Sequence, residues 1–94
     1  MKRATDINGT PVHVGIRVRV VSVRASVLRP LSEAERRRVK SMIGEILTVD
    51  GIDAYGSAWV TKWWHHRGGK STSHSLALGP AEMEVVPSAS PTAA

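Results

Sequence analysis

Hydrophobic and polar residues alternate along residues 12–23, which read VHVGIRVRVVSV. Within this segment single arginines separate Ile16, Val18 and Val20, and this period of two predicts a strand with one buried face. The alternation shifts by one residue at Val21, after which the apolar residues belong to the opposite face. The pattern therefore predicts the first strand of a sheet, with a β-bulge or a sharp bend near Val21.

A helix signal follows this strand. Ser32 and Glu35 have the spacing of a capping box, in which each side chain accepts a hydrogen bond from the backbone amide of the other residue. The charged residues after Ser32 predict a short helix over residues 33–41. Its buried stripe should consist of three apolar residues at helical spacing. These are Val39, Met42 and Ile43.

Four further segments have the length and the apolar content of short strands, with turn signals between them. They cover residues 43–49, 58–64, 74–78 and 84–86, and a single 3₁₀ turn is predicted just before the last one. The resulting fold is mainly β. We expect a five-stranded small barrel with one helical insertion between strands 1 and 2, because closure removes exposed strand edges.

The length of 94 residues predicts a single domain. Residues 1–10 are expected to form a flexible lead-in, and residues 11–87 the barrel. Residues 88–94 read SASPTAA, and this run of small residues predicts a disordered tail.

The absence of cysteine and of long apolar stretches limits the chemistry and the location that we expect for this protein. The chain has no cysteine, which excludes disulfide bonds, thiolate metal sites and a cysteine nucleophile. No apolar stretch follows the basic start as in a secretory signal, and none approaches the roughly 20 apolar residues of a membrane span. We therefore expect a cytoplasmic protein without a membrane partner.

Basic residues are concentrated in the first part of the chain. Residues 1–40 hold ten of the 13 Lys and Arg residues and three of the eight acidic ones, although the whole chain carries only +5. This asymmetry suggests a polyanion partner, whereas glutamates within the helix favour an ordinary solvated surface. The candidate nucleic-acid residues are Arg17, Arg19, Arg36, Arg37, Arg38 and Lys40.

Four aromatic residues lie close together in the second half of the chain, and the chain has no Phe. Strand alternation predicts that Trp59 and Trp63 share one face while Trp64 lies on the other. One side must then supply core volume, and a Trp on the other side is exposed, as in many binding hot spots. The candidate partner-binding residues are Tyr55, Trp59, Trp63 and Trp64.

The histidines and hydroxyl residues give weaker signals. His65, His66 and His74 are candidate ligands for Zn²⁺ or Ni²⁺, but they lie in and beside a Gly-rich loop without a carboxylate, and a solvated loop is the simpler interpretation. The chain contains no nucleophile elbow and no complete phosphate-binding glycine loop. The sequence thus predicts neither an enzyme nor a cofactor.

The order of elements resembles an SH3-like barrel. The segments that carry this resemblance are GIRVRV, MIGEILTV, AWVTKWW and LALGPAEMEVV. The chain also resembles a small bacterial protein family of this fold in its SMIGE, AWV and SHSLAL segments. The GIRVRV strand is remotely similar to RNA-binding KOW domains and to the barrel of the nitrile hydratase β-subunit. The resemblance implies the fold, and it leaves several functions open.

Three functional hypotheses follow from the sequence. The leading one is a non-catalytic module that binds another protein through its aromatic face. The second is an RNA- or DNA-binding barrel that uses the arginine-rich first half. The third is an accessory or metal-handling protein that uses the histidine loop. A monomer or a weak dimer is expected in each case.

Overall fold

The computed structural model describes residues 3–87. Its chain order is two short strands, one strand, two helices and four strands. The first strands are β1 (Ala4–Thr5), β2 (Pro11–Val12) and β3 (Arg17–Val20). The helices are α1 (Ala25–Leu28) and α2 (Glu33–Ser41). The remaining strands are β4 (Ile46–Ile52), β5 (Ala58–His65), β6 (Ser71–Leu78) and β7 (Met83–Val85), with 3₁₀ turns at Arg67–Gly69 and Pro80–Glu82.

Five of the strands form one antiparallel sheet in the order β6-β5-β4-β3-β7. The prediction of a mainly β fold with five sheet strands is confirmed. The predicted barrel closure is wrong, because the sheet is open and β6 and β7 form its two edges. Closure requires the edge strands to pair. Here β7 has only three residues, and its outer edge is already bonded to the N-terminal segment through the amide of Ile7 and the carboxylate of Asp6.

The helical insertion differs from the prediction in number and in place. It consists of two helices, and it follows the third strand of the chain because β1 and β2 precede the sheet. The predicted capping box is present, with 3.2 Å from the Glu35 amide to the Ser32 hydroxyl and 3.2 Å from the Ser32 amide to the Glu35 carboxylate. These bonds hold the pKa of Glu35 below its usual value, and His74 on β6 contributes to this shift.

Two of the three residues predicted for the buried stripe of α2 are fully buried, namely Val39 and Met42. The burial predicted for Ile43 is wrong, since its side chain is exposed. The helix ends at Ser41 and Met42 caps it. Ile43 lies beyond the last helical turn, where the helical spacing no longer sets the direction of a side chain.

The sheet contains one bulge, and it does not lie at Val21. Strand β3 ends at Val20, and just beyond it the amide of Val21 still bonds to the Glu82 carbonyl at 2.8 Å. The register shift lies in β4 between Val49 and Gly51, where Asp50 is the extra residue. A bulge lets β4 continue past Asp50 and Gly51 to Ile52, beyond the end predicted at residue 49.

The core lies on one face of the sheet, between the strands, α2 and the β1–β2 hairpin. Half of its buried residues are valines, and the others are leucine, methionine and alanine. Valine alternates with arginine along β3, so this strand buries one face and exposes the other. The buried members are Ala4, Val12, Val18, Val20, Val39, Met42, Val49, Ala58, Val60, Leu76, Leu78 and Met83.

The segment predicted as a flexible lead-in contributes to the fold. Ala4 is buried and pairs with Val12 across the β1–β2 hairpin. The carboxylate of Asp6 accepts hydrogen bonds from the amides of Asn8 and Thr10, which closes the hairpin turn. The tail predicted for residues 88–94 lies outside the described residues. Among residues 3–87, no helix is long and apolar enough to cross a membrane.

Candidate binding surface

Strand β5 presents two tryptophans on the face of the sheet opposite the core. Ala58 and Val60 are fully buried, so the residues between and beyond them at odd positions point outward. Trp59 is 38% exposed and Trp63 is 56% exposed. The structure therefore places these two tryptophans on one face, as strand alternation predicted. We call the outward residues Trp59, Thr61 and Trp63, with Ile46, Arg17 and Arg19, the outer face.

Trp64 lies on the other side of β5 and packs against the core. The ammonium group of Lys62 lies 5.5 Å from the centroid of its ring, and the same ammonium pairs with the Glu45 carboxylate. Trp64 therefore contacts the core and Lys62 of its own chain, and it does not belong to the outer face. The core volume that the absence of Phe seemed to require from Trp comes mainly from Val, Leu and Met.

The β4–β5 turn holds Trp59 in place. The indole nitrogen of Trp59 donates to the Asp53 carboxylate at 3.1 Å. The second carboxylate oxygen accepts from the amides of Tyr55, at 2.9 Å, and Ser57, at 3.0 Å. The Ser57 bond is the main reason that the pKa of Asp53 is lowered, and the other bonds outweigh the opposing effect of burial. Asp53 is thus ionised at neutral pH and fixes both the turn and one indole ring.

Tyr55 occupies the tip of this turn and is 83% exposed. Gly56, next to it, has a φ of 83°, a conformation that favours glycine and lets the chain reverse. The phenol ring has no hydrogen-bond partner among the described residues. Asp53 thus bonds to the Tyr55 amide and to the Trp59 indole, so the turn that carries the exposed Tyr55 lies beside the start of β5.

Small and hydroxyl residues surround Trp63. Ser73 on β6 is its cross-strand neighbour. One row further, the Thr61 hydroxyl lies 2.8 Å from the Ser75 hydroxyl and 2.9 Å from the Asp50 carboxylate. None of these side chains is large enough to cover an indole ring, so Trp63 remains open to solvent.

Two arginines of β3 share the outer face. Arg17 pairs with Thr48 and Arg19 with Ile46 in the β3–β4 register, so all four side chains point away from the core. The Arg19 guanidinium lies 3.3 Å from the Glu84 carboxylate on β7. Arg17 has no salt bridge among the described residues.

The basic residues of the helix are separate from these arginines. Val39 of α2 is buried in the core, so α2 lies on the opposite side of the sheet from the outer face. Arg36 is also occupied, since its guanidinium donates to the carbonyls of Leu28, at 3.2 Å, and Leu31, at 3.1 Å. Arg37, Arg38 and Lys40 remain on the helix surface. The candidate nucleic-acid residues thus form two groups on opposite sides of the sheet.

The three histidines do not converge. His65 and His74 lie on opposite faces of the β5–β6 hairpin, and the His66 ring bonds to the Thr72 hydroxyl at 2.9 Å. Within residues 3–87, no group of three His, Asp or Glu side chains is arranged to hold a metal ion.

The sequence analysis missed the carboxylates that organise the structure, which are Asp6, Asp53 and Glu82. Glu82 accepts hydrogen bonds from the amides of Gly79, at 2.8 Å, and Arg24, at 3.0 Å. A signal existed for Asp53, because an Asp three residues before a Gly is typical of a turn in which the side chain bonds the backbone.

Comparison with protein families, with curated proteins and with solved structures found no match to this chain.

Proposed function

We propose that this protein is a non-catalytic module that binds another protein through the outer face of its sheet. The observation that carries the proposal is the exposure of Trp59 and Trp63 on one face of a strand whose other face is buried. Large exposed aromatic side chains are costly to leave in water and are enriched in interface hot spots.

The rigidity of the surface supports the same proposal. The indole nitrogen of Trp59 donates to the Asp53 carboxylate, and this bond fixes the ring before any partner binds. A side chain that is already ordered loses less conformational entropy on binding, which favours affinity. Ile46 and Arg17 add an apolar and a cationic contact to the face, and both kinds of group occur in protein interfaces.

The charge of the outer face argues against the nucleic-acid alternative. The Glu84 carboxylate already pairs with Arg19. Two further carboxylates, Asp50 and Asp53, bond to Thr61 and Trp59 on the outer face. A site for single-stranded nucleic acid combines aromatic platforms with a positive groove, and this surface has the platforms without the excess of positive charge.

The test uses purified partners identified by affinity capture. Replacing Trp63 with Ala (Trp63→Ala) should weaken binding about 30-fold, as expected for a hot-spot residue worth about 2 kcal/mol. The matched control is Ile7→Ser, because Ile7 is 51% exposed but lies beside β7 at the other edge of the sheet. It should leave the affinity unchanged.

Two outcomes would contradict the proposal. One is an equal affinity of wild type and Trp63→Ala for every captured partner. The other is binding of a single-stranded oligonucleotide that falls steeply with salt and that is lost in Arg17→Ala, because counterion release marks nucleic-acid binding.

A further inference from the structure

Strand β6 leaves one of its edges without a hydrogen-bond partner. It is eight residues long and pairs with β5 alone among the described strands. The amide of His66 donates to the Lys70 carbonyl at 2.7 Å, which makes these two residues a hydrogen-bonded pair at the end of the hairpin. Such pairs recur at every second position of an antiparallel ladder. Thr72 and His74 therefore bond to β5 through their backbone groups.

The alternate residues of β6 point their backbone groups away from β5. These are Ser71, Ser73, Ser75 and Ala77. Within residues 3–87, no other backbone group bonds to them. Their side chains are small and lie in a row on the outer face, so they present no steric barrier to a further strand.

Natural sheets protect a free edge with charges, with proline or with a bulge. Strand β6 has none of these, since it contains no Lys, Arg, Asp, Glu or proline, and its pairing with β5 has no register shift. Every copy of the protein therefore carries a regular strand edge that can pair with another strand.

We propose that β6 pairs antiparallel with β6 of a second copy, which joins two sheets into one of ten strands. A two-fold axis at His74 places Ser73 opposite Ser75 of the second copy and Ser71 opposite Ala77. This register uses all four outward residues of each strand and forms about eight backbone hydrogen bonds.

A second copy fits this edge because β6 is complementary to itself in that register. Ser71–Leu78 contains no Lys, Arg, Asp or Glu, so no such charges oppose each other across the axis, where His74 faces His74 of the second copy. The register also keeps outward residues opposite outward residues, so the outer faces of the two copies become continuous. The proposal does not depend on the proposed function, because it uses the edge of the sheet and not the tryptophans.

The first experiment measures the mass of the full 94-residue chain by sedimentation at increasing concentration. The wild type should form a dimer. Ser73→Pro should be monomeric, because it removes an outward amide without removing a bond to β5. The control Ser73→Ala should remain dimeric, and circular dichroism should show that both variants are folded.

Ser73→Asp combined with Ser75→Asp is a second variant for the case in which the proline prevents folding. It places carboxylates opposite each other across the axis, so it should also be monomeric. Three results would overturn the proposal. They are a wild type that stays monomeric up to about 1 mM, a dimer that persists in Ser73→Pro, and a dimer that persists in the folded double aspartate variant.

The second experiment tests the register. The chain has no cysteine, so a single replacement supplies one thiol for each copy. His74→Cys places the two thiols opposite each other at a non-hydrogen-bonded pair, where the Cα atoms are about 4.5 Å apart and a disulfide fits. Mild oxidation should link this variant and leave the control His65→Cys unlinked. Equal linking of both variants would contradict the register and the proposed pairing.

Discussion

The two edges of the sheet are treated differently by the rest of the chain. At the β7 edge, the carbonyl of Met83 accepts from the amide of Ile7 at 3.0 Å, and the amide of Val85 donates to the Asp6 carboxylate at 2.7 Å. At the β6 edge, no other part of the described chain bonds to the outward backbone groups. A segment before the sheet thus covers the short edge, and the long edge remains free.

The difference shows how a side chain can replace a strand. Asp6 is only 3% exposed, and its carboxylate bonds to two amides of its own turn as well as to Val85. A carboxylate that accepts several amide bonds satisfies donors that a neighbouring strand would otherwise satisfy. The outward backbone groups of β7 are therefore bonded within the chain, whereas those of β6 can still bond to another strand.

The largest expected effect comes from breaking the covered edge. Asp6→Ala leaves the amides of Asn8, Thr10 and Val85 without their acceptor, and the free energy of unfolding should fall by about 3 kcal/mol. Urea unfolding followed by Trp fluorescence measures this change. The control is Asp50→Ala, because Asp50 is exposed and, among residues 3–87, accepts only from the Thr61 hydroxyl. The control should lose about 0.5 kcal/mol or less. Equal losses in the two variants would contradict the role of Asp6.

The pH dependence of stability sharpens the same comparison. Burial alone would raise the pKa of Asp6, but the bonds from Val85, Thr10 and Asn8 outweigh it, so its pKa lies below the usual 3.8. Burial likewise opposes a lowering of the pKa of Glu82, and the bonds from the Arg24 side chain and the Gly79 amide outweigh it. As the pH falls, these carboxylates bind protons in the unfolded chain before they do so in the folded chain. The stability that they contribute is therefore complete above about pH 5.5 and is lost as the pH falls further.

Urea midpoints measured between about pH 7 and pH 3 should therefore decline on acidification, over the range where carboxylates titrate. Asp6→Asn should decline less steeply than the wild type, because it removes one of the four carboxylates with a lowered pKa, which are Asp6, Glu35, Asp53 and Glu82. A wild type that becomes more stable as the pH falls would contradict this account.

The covered edge also shows why part of the fold escaped sequence analysis. The capping box at Ser32 is a local pattern, and it predicted α2 correctly. The alternation over residues 12–23 is also local, but it predicted one long strand where β3 covers only Arg17–Val20 and Val12 belongs to the β1–β2 hairpin. The bond between Asp6 and Val85 joins residues separated by 79 positions. Nothing near Asp6 in the sequence indicates that partner, so the segment around it looked like a lead-in and the sheet looked as if it had to close.

The candidate surface was predictable to a similar extent. Strand alternation placed Trp59 and Trp63 together and Trp64 on the other side, because alternation depends only on the backbone. Which side is the core depends on the neighbours in space. Val60 and Leu76 fill that side, whereas composition alone suggested that tryptophans had to fill it.

The smallest expected effect comes from a change at the free edge. In dilute solution, where the protein is monomeric, Ser73→Pro should lower the free energy of unfolding by less than about 1 kcal/mol, because the amide it removes bonds only to water. Thr72→Pro is the adjacent control, and it removes an amide that bonds to β5, so it should cost about 2 kcal/mol or more. Urea unfolding of both variants at low concentration measures the contrast. If the two prolines cost the same, β6 does not expose alternate amides, and the distinction between a covered and a free edge fails.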